Sequence, residues 1–508
     1  MNGTEKDIPG RNGKICILAG LLAFIIVSSL FFSRAIQESS LIRFGWIIHG
    51  ITIAVLLFTA ILCLKMNFSA GRAFLCVAIP LGCLYMVLMT PFSIPDEHFH
   101  YQTSYELSNR LMFRSGEQAE LGDSEHFNYT SFPQHQNRAE GYERVLKEIL
   151  KKPETGTLTA IPAHRSLVYF VMQLPQAVGI TIGRIFNANF ITFFYLGRLM
   201  NLLAYLSCVY LALRAVPFLK PMFFLVGISP MALHQAASYS YDSVTNGLAL
   251  LSIALFLRAV YRRERMRWRE YLQLLIVGTL MAPCKAGYFP ILFLAFLIPS
   301  SRFSSGRGKL LMVSGVLAAA SAAMLLVWIP AMQAGKAVID WGYECYSLAY
   351  ILEHPLSAAR IFLNSLRSEW FTWVMTGMGA ELSGFTLKLP VYLPVCYLIL
   401  LIFSALGNEQ EQQTFGISRT QRAVFLGIGG ICILLVMGAL FVTYTAVGTD
   451  RIVGIQGRYF LPVFPFLLLS LKNGNLYFRK AMDRSFIFFA LLLHYNLLNS
   501  ILTYTLNH

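Results

Sequence analysis

The chain alternates long apolar runs with shorter polar stretches, and this pattern predicts most of its structure. The apolar runs have roughly 18 to 25 residues, the length that a helix needs to cross a bilayer. We therefore predict an all-α, polytopic integral membrane protein with 11 to 14 transmembrane helices, forming a single membrane domain over residues 1–508. The predicted spans are 15–33, 44–64, 73–92, 166–186, 190–214, 217–233, 241–261, 271–284, 286–300, 309–331, 390–407, 423–446, 458–471 and 485–506.

Two long polar stretches, 93–165 and 334–388, interrupt the apolar pattern. We expect both to be large loops on the outer face. The second contains "LSAARIFLNSLRSEWFTWVM", whose apolar and aromatic residues fall near one helical face. Such an amphipathic helix either lies at the membrane interface or packs against other helices.

Composition agrees with a membrane location and argues against nucleic acid as a partner. The chain is 56% hydrophobic with 13% charged residues, whereas a soluble domain has about 25% charged residues. Its mean hydropathy is +0.57 and its formal net charge is +15. In membrane proteins Lys and Arg gather in cytoplasmic loops beside anionic lipid, so the bilayer accounts for this charge.

Basic loops set the predicted orientation. The stretch 258–270, "RAVYRRERMRWRE", has six Arg and two Glu, and we place it in the cytoplasm. With the N-terminus inside, three crossings leave 93–165 outside. Four crossings between 166 and 261 would then leave the Arg-rich loop outside, so one of these spans does not cross as a simple helix. The candidates are 166–186 and 217–233.

The stretch "PFSIPDEHFHYQTSYELSNR" places Asp96 and Glu97 directly after an apolar run. These acids either cap a helix N-terminus or form the reactive edge of a membrane-embedded site. His98 and His100 follow. A His-x-His pair can bind metal, but alone it is weak evidence. We predict no metal site and no cofactor, while a divalent-metal requirement stays open.

Three further stretches carry polar residues on the same predicted outer face. They are "HQAASYSYD" (234–242), "CKAGY" (284–288) and "GTDRIVGIQGRY" (448–459). Their acid either caps a helix or joins the first acidic pair, and a lone Lys either snorkels to headgroups or binds an anion. Arg suits phosphate by its fork of donors and Lys by its compact charge. The candidate binding residues are Asp242, His98, His234, Lys285, Arg451, Arg458 and Tyr459.

Acids and cations together on an outer face suit transfer of a group from a lipid-linked phosphate to a hydroxyl. A carboxylate would take the hydroxyl proton as general base. The sugar centre would pass through an oxocarbenium-like state, and Lys and Arg would stabilise the departing phosphate.

Several segments resemble a bacterial membrane protein family known as domain of unknown function 2142. They are "IPDEHFHYQTSYELS", "YLGRLMNLLAY", "ISPMALHQAASYSYDSVTNGLALL", "CKAGYFPILFL" and "GIQGRYFLPVFPFLLL". That family is similar to the GT-C superfamily of polyprenyl-phosphate-sugar-dependent glycosyltransferases. Those enzymes carry an acidic motif in the first large outer loop, usually after the first transmembrane helix, whereas here it follows the third predicted span. The resemblance implies an inverting enzyme with Asp96 as base, Glu97 as the next candidate, and Lys285 and Arg458 at the lipid phosphate.

We therefore expect a GT-C-type glycosyltransferase of the plasma (inner) membrane with an extracytoplasmic active face. Its expected partners are a polyprenyl-phosphate-linked sugar donor and a cell-envelope glycan or lipid acceptor. The alternatives are a transporter or flippase of lipid-linked sugars, an envelope polymer ligase or polymerase, and a non-enzymatic scaffold. A transporter is expected to show internal repeat symmetry, and the sequence has no evident repeat.

Overall fold

The computed structural model describes residues 11–36, 41–65, 69–114, 119–121, 133, 135–151, 159–161, 169–333 and 342–508. Regular structure in these residues is almost entirely helical. The α-helices are α1 Arg11–Ala35, α2 Ile42–Lys65, α3 Ala70–Leu88, α4 Glu97–Leu111, α5 Ala139–Glu148, α6 Phe170–Ile185, α7 Phe190–Ala215, α8 Lys220–Gly227, α9 Pro230–Ala236, α10 Asp242–Tyr261, α11 Trp268–Met281, α12 Gly306–Gln333, α13 Leu348–Glu353, α14 Pro355–Gly377, α15 Tyr392–Ser404, α16 Glu409–Thr414, α17 Arg419–Thr443, α18 Phe464–Leu471 and α19 Asp483–Asn507. The 3₁₀ helices are Ala286–Leu297, Ser300–Arg302 and Gly457–Phe460.

Four short strands lie within the two polar stretches. β1 (Ala119–Leu121) pairs antiparallel with β2 (Thr159–Ile161), and Ala119 lies opposite Ile161. β3 (Glu381–Leu382) pairs antiparallel with β4 (Leu387–Lys388), and Leu382 lies opposite Leu387. These hairpin-sized pairs are too small to form a core, so the prediction of an all-α protein is confirmed.

Seven helices in the described residues are long and apolar enough to cross a membrane. They are α2, α3, α7, α10, α12, α17 and α19. Shorter elements run between the same two ends. The 3₁₀ helix Ala286–Leu297 starts beside Asp242, at the start of α10, and is followed by Arg302, whose guanidinium donates to the carbonyl of Ala259 near the end of α10. The prediction of a multi-pass membrane protein is confirmed.

The predicted span 166–186 corresponds to α6, which has 16 residues and is shorter than the seven long apolar helices. It packs along the polar helix α4. The Thr181 hydroxyl and the Arg184 guanidinium each donate to the Ser108 hydroxyl of α4 at 2.9 Å. Taking α6 out of the crossings restores the charge rule for the Arg-rich loop. Whether 166–186 crosses the membrane stays a prediction. In α6 the buried side includes Gln173 and Gln176, while Ile182 and Ile185 are exposed.

The predicted span 217–233 is a broken pass made of α8 and α9. Pro230 begins α9, and a proline has no backbone N–H and disfavours helix at the residue before it. α8 begins at one end of the bundle, where the backbone N–H of Leu219 donates to Glu411 at 3.1 Å. The chain leaves α9 at the other end and continues into α10 at Asp242.

The centre of the bundle is formed by α10 and α7. In α10, 94% of the apolar stretch of 18 residues is buried, far more than in the other long helices. This helix therefore has almost no lipid-facing surface. α7 packs against α3, α6 and α10. The contact with α6 is close because a Cβ at Gly179 would overlap the carbonyl of Leu196, and small residues permit such approaches.

The amphipathic segment of the second polar stretch forms α14. Its residues Ile361 and Trp373 are buried, and the helix packs onto the 3₁₀ helix Gly457–Phe460. Its opposite side exposes Leu356, Leu363 and Trp370. α14 therefore combines both predicted alternatives, with one face packed on the protein and an apolar face exposed.

Candidate functional site

Four charged side chains from four separate elements meet at one end of α10, and we call them the charged cluster: Asp96, Asp242, Lys285 and Arg458. The Lys285 ammonium donates to Oδ1 of Asp242. Nε of Arg458 lies 3.7 Å from Oδ2 of Asp242, and Nη2 lies 3.5 Å from Oδ2 of Asp96. Two anions and two cations balance each other, as charges removed from water must.

Local sequence explains how each member reaches this point. Asp242 is the first residue of α10, Asp96 directly precedes α4, and Lys285 directly precedes the 3₁₀ helix Ala286–Leu297. Carboxylates at helix N-termini also benefit from the positive end of the helix dipole. Neither helix start has a side-chain cap hydrogen bond, so the capping alternative is reduced to this dipole effect, which is compatible with the site alternative.

Exposure separates the two acids of the cluster. The Asp96 side chain is 58% exposed, whereas those of Asp242 and Arg458 are 7% exposed. Asp242 also accepts from the Gln235 amide at 3.5 Å, so both of its oxygens have partners. Asp96 is the carboxylate of the cluster with an accessible surface and a single, long ion pair.

The loop that presents Asp96 has an unusual backbone. Asp96 has a φ of 59° and Phe92 a φ of 61°, both in the left-handed region. Asp tolerates this region, but a bulky aromatic residue rarely adopts it. Such conformations persist where surrounding contacts fix them, and they concentrate at functional sites.

Glu97, the second predicted acid, is fully buried and saturated. Its carboxylate accepts Nε and Nη2 of Arg198 at 2.9 and 2.7 Å. It also accepts the backbone N–H groups of Phe92 at 2.9 Å and Tyr239 at 3.1 Å. A carboxylate with four donors and no exposed surface has no room for a substrate proton. The structure therefore does not bring Glu97 to the accessible part of the site.

The buried arginines differ in how fully their donors are used. Arg302 makes hydrogen bonds of 2.7 Å to two backbone carbonyls and to Glu270. Arg198 bonds both oxygens of Glu97 and three carbonyls. Nε of Arg458, by contrast, has no hydrogen bond within the described residues, and its contact with Asp96 is a long one. Arg458 is a buried guanidinium with spare donor capacity.

Aromatic rings surround the cations of the cluster. The Lys285 ammonium lies 4.5 Å from the ring centroid of Tyr459 and 5.0 Å from that of Tyr241. Tyr241 also meets the ring of His100 edge-on at 4.5 Å. Burial lowers the pKa of His100 to about 4, so this histidine is neutral at physiological pH. Tyr459, predicted as a binding residue, therefore lies at the cluster, and His100 lies beside it.

Two predicted residues, His98 and His234, have contacts outside the charged cluster. The ring of His98 faces that of His135 at 5.8 Å, and burial together with His135 lowers the pKa of His98. His234 is buried, and its Nε2 accepts the backbone N–H of Ser383 at 3.1 Å. Within the part of the chain that the structure describes, no group of three or more His, Cys, Asp and Glu is arranged to hold a metal ion.

Arg451, another predicted binding residue, forms its ion pairs with residues outside the charged cluster. Its guanidinium is 55% exposed and pairs with Glu369 of α14 at 3.2 Å and with its neighbour Asp450 at 3.7 Å. An exposed pair of this kind contributes little to stability or recognition. The structure does not bring Arg451 to the site.

Sequence reasoning did not identify Arg198 or Asn201 as site residues. Both lie on α7, and Arg198 is the sole charged residue between Phe190 and Leu213. A lone charge inside an apolar run is a signal in itself, because such a charge must find a partner in the bundle interior. The partner of Arg198 is Glu97.

The fold and site define a class: a polytopic helical membrane protein with a balanced, partly accessible charged cluster at one end of its central helix. The chain belongs to the predicted membrane protein family DUF2142, whose family model matches residues 79–467. That range includes every member of the charged cluster, whereas α1, α2 and α19 lie outside it. No curated protein and no solved structure matches the chain.

Proposed function

We propose that the protein is a GT-C-type glycosyltransferase that moves a sugar from a polyprenyl-phosphate-linked donor to a cell-envelope glycan or lipid acceptor. The observation that carries the proposal is the contrast among three neighbouring carboxylates. Both oxygens of Glu97 and of Asp242 have partners, while Asp96 is 58% exposed and keeps a 3.5 Å contact with Arg458. An accessible carboxylate beside buried cations suits a general base facing a phosphate-bearing substrate.

The spare donors of Arg458 support a phosphate ligand. A guanidinium presents donors in a planar fork that matches phosphate oxygens, and this one is held in a buried position with Nε without a hydrogen bond. Lys285 would add a second positive charge, since its ammonium is 21% exposed and shared with Asp242. The balanced cluster would then hold the negative charge that builds up on the leaving phosphate.

The proposed step balances as a single displacement. Asp96 takes the proton of the acceptor hydroxyl as its oxygen bonds to the anomeric carbon. The bond between that carbon and the phosphate oxygen breaks, and its electron pair leaves with the lipid phosphate beside Arg458 and Lys285. Attack from the face opposite to the leaving phosphate inverts the anomeric centre.

The membrane face follows from the two ends of α10. This helix starts at Asp242 in the charged cluster and ends at Tyr261, directly before the Arg-rich loop. Its 20 residues extend about 30 Å, the thickness of a hydrocarbon core. Because basic loops stay in the cytoplasm, this arrangement supports an extracytoplasmic site in an inner membrane.

The test is sugar transfer by purified protein in proteoliposomes, supplied with a panel of polyprenyl-phosphate sugars and extracted envelope acceptors. Asp96→Asn keeps the shape and the left-handed backbone but removes the base, so product formation should be lost. Asp450→Asn is the matched control because Asp450 is also exposed, at 82%, and lies outside the cluster. Full transfer by Asp96→Asn would overturn the assignment of the base.

A transporter or flippase of lipid-linked sugars is the second candidate, and the broken pass α8–α9 favours it. Discontinuous helices beside a charged site are common in transporters. The two candidates separate in the same liposomes. Movement of labelled lipid-linked sugar across the bilayer without acceptor and without release of lipid phosphate would favour transport; coupled release of lipid phosphate and a glycosylated acceptor would favour the transferase.

A further inference from the structure

One face of α7 binds the backbone segments that carry Asp96 and Asp242. Arg198 and Asn201 are three residues apart, so they lie one above the other on the same side of this helix. Both side chains are fully buried. Arg198 reaches the loop that carries Asp96, and Asn201 reaches the turn that precedes Asp242.

Arg198 ties the end of α3 to the start of α4. Its guanidinium donates to the carbonyls of Met89 and Thr90 at 2.5 and 3.0 Å, and to both oxygens of Glu97. A cation at the C-terminal end of α3 also offsets the negative end of that helix dipole. The loop between these anchors contains Asp96, so its ends cannot shift without breaking charge-assisted hydrogen bonds.

Asn201 performs the equivalent task for α10. Its amide donates to the carbonyls of Ser238 at 2.7 Å and Ser240 at 3.2 Å, and its carbonyl oxygen accepts the Ser243 hydroxyl at 2.7 Å. These partners flank Asp242 on both sides in sequence. The turn is therefore fixed to α7 immediately before the acid that holds Lys285.

Glu97 connects the loop held by Arg198 to the turn held by Asn201. It accepts Arg198 on one side and the backbone N–H of Tyr239, which belongs to the turn held by Asn201, on the other. We propose that Arg198 and Asn201, linked through Glu97, are positioning residues that set the distance between the base Asp96 and the donor-binding acid Asp242. This inference rests on the proposed function for its kinetic meaning, while the positioning itself can be measured without activity.

Amide hydrogen exchange on the whole protein in lipid nanodiscs measures the positioning. Arg198→Lys keeps the charge but loses the fork, so exchange over residues 86–97 should accelerate by about tenfold, the effect of weakening charged hydrogen bonds. Asn201→Ala should accelerate exchange over 238–243 by a similar factor while leaving the ends of the Asp96 loop protected. Arg302→Lys is the matched control, since Arg302 is equally buried but lies at the other end of α10. It should leave both segments unchanged.

Steady-state sugar transfer supplies a second readout. A purely structural role would not change kcat in one variant and the donor KM in the other. Arg198→Lys should lower kcat with little change in the KM for the donor, because it displaces the base. Asn201→Ala should mainly raise the donor KM, because it displaces the acid that orders Lys285 and Arg458. Full kcat for Arg198→Lys alongside an inactive Asp96→Asn would overturn this inference and keep the proposed function.

The exchange data distinguish the remaining outcomes. Local acceleration at the two segments supports the positioning role even if Asp96→Asn proves active, in which case the proposed base fails alone. Uniform acceleration along the chain, or unchanged exchange at both segments, would overturn the positioning role. If Arg198→Lys does not fold, Asn201→Ala still tests the positioning of Asp242, because this variant leaves the buried charge pair intact.

Discussion

The charged cluster should behave as one electrically coupled unit, and a double-mutant cycle at Asp242 and Lys285 tests this. Asp242→Asn would leave Lys285 without its carboxylate. It would leave Arg458, which is 7% exposed, with the long contact to Asp96 as its remaining ion pair. Removing one partner of a buried ion pair costs about 3–5 kcal/mol. Lys285→Met, a change of similar length, should cost a comparable amount because it leaves Asp242 with Arg458 alone.

The double variant should recover most of that loss. Asp242→Asn with Lys285→Met removes one anion and one cation together, so the cluster regains its balance. We expect a coupling free energy of about 2–3 kcal/mol, measured by denaturant unfolding in mixed micelles. The exposed pair Arg451 and Glu369 is the control and should couple by less than about 1 kcal/mol. Additive effects at Asp242 and Lys285 would refute the reasoning that burial makes these charges interdependent.

Three further predictions follow from the same region. Arg458→Lys keeps the charge but loses the donor fork, so the KM for a lipid-linked donor should rise about tenfold in steady-state assays, and an unchanged KM would argue against a phosphate ligand. A Cβ at Gly457 would overlap the backbone of α14, so Gly457→Ala should lower the yield of folded protein, whereas Gly430→Ala has open space and should not. Burial lowers the pKa of His100 from 6.5 to about 4, so the unfolded chain binds a proton there between these values and the folded chain does not. Stability should therefore fall as the pH drops from 6.5 towards 4, by up to about 1.4 kcal/mol per pH unit, and His100→Gln should flatten that part of the unfolding profile; an unchanged slope would contradict it.

Hydropathy predicted the fold class because a bilayer demands long apolar helices, and α2, α10 and α17 agree with their predicted spans within a few residues. It cannot decide whether α6 crosses, because apolar runs look alike whether lipid or protein covers them. α6 packs on α7 and on α4, and the polar sequence of α4, "EHFHYQTSYELSNRL", carries no apolar run to predict this contact. The charge of the Arg-rich loop did predict that one of these passes fails to cross. A global constraint thus questions a predicted span that the local pattern alone supports.

As with the fold, the sequence predicted those features of the site that depend on neighbouring residues and not those that depend on residues distant in the chain. Charges beside apolar runs stand out in the sequence, and this was enough to find all four members of the charged cluster. Deciding between Asp96 and Glu97 required Arg198, whose partner is 101 residues away in the chain. Since a buried charge must be paired, the lone arginine inside α7 requires a buried acid elsewhere. The oxygens of that acid, Glu97, are occupied by the arginine. Of these two adjacent carboxylates, Glu97 compensates a distant buried cation, and Asp96 keeps an accessible surface. The lone arginine in the apolar run of α7 was therefore the signal that separates the two acids.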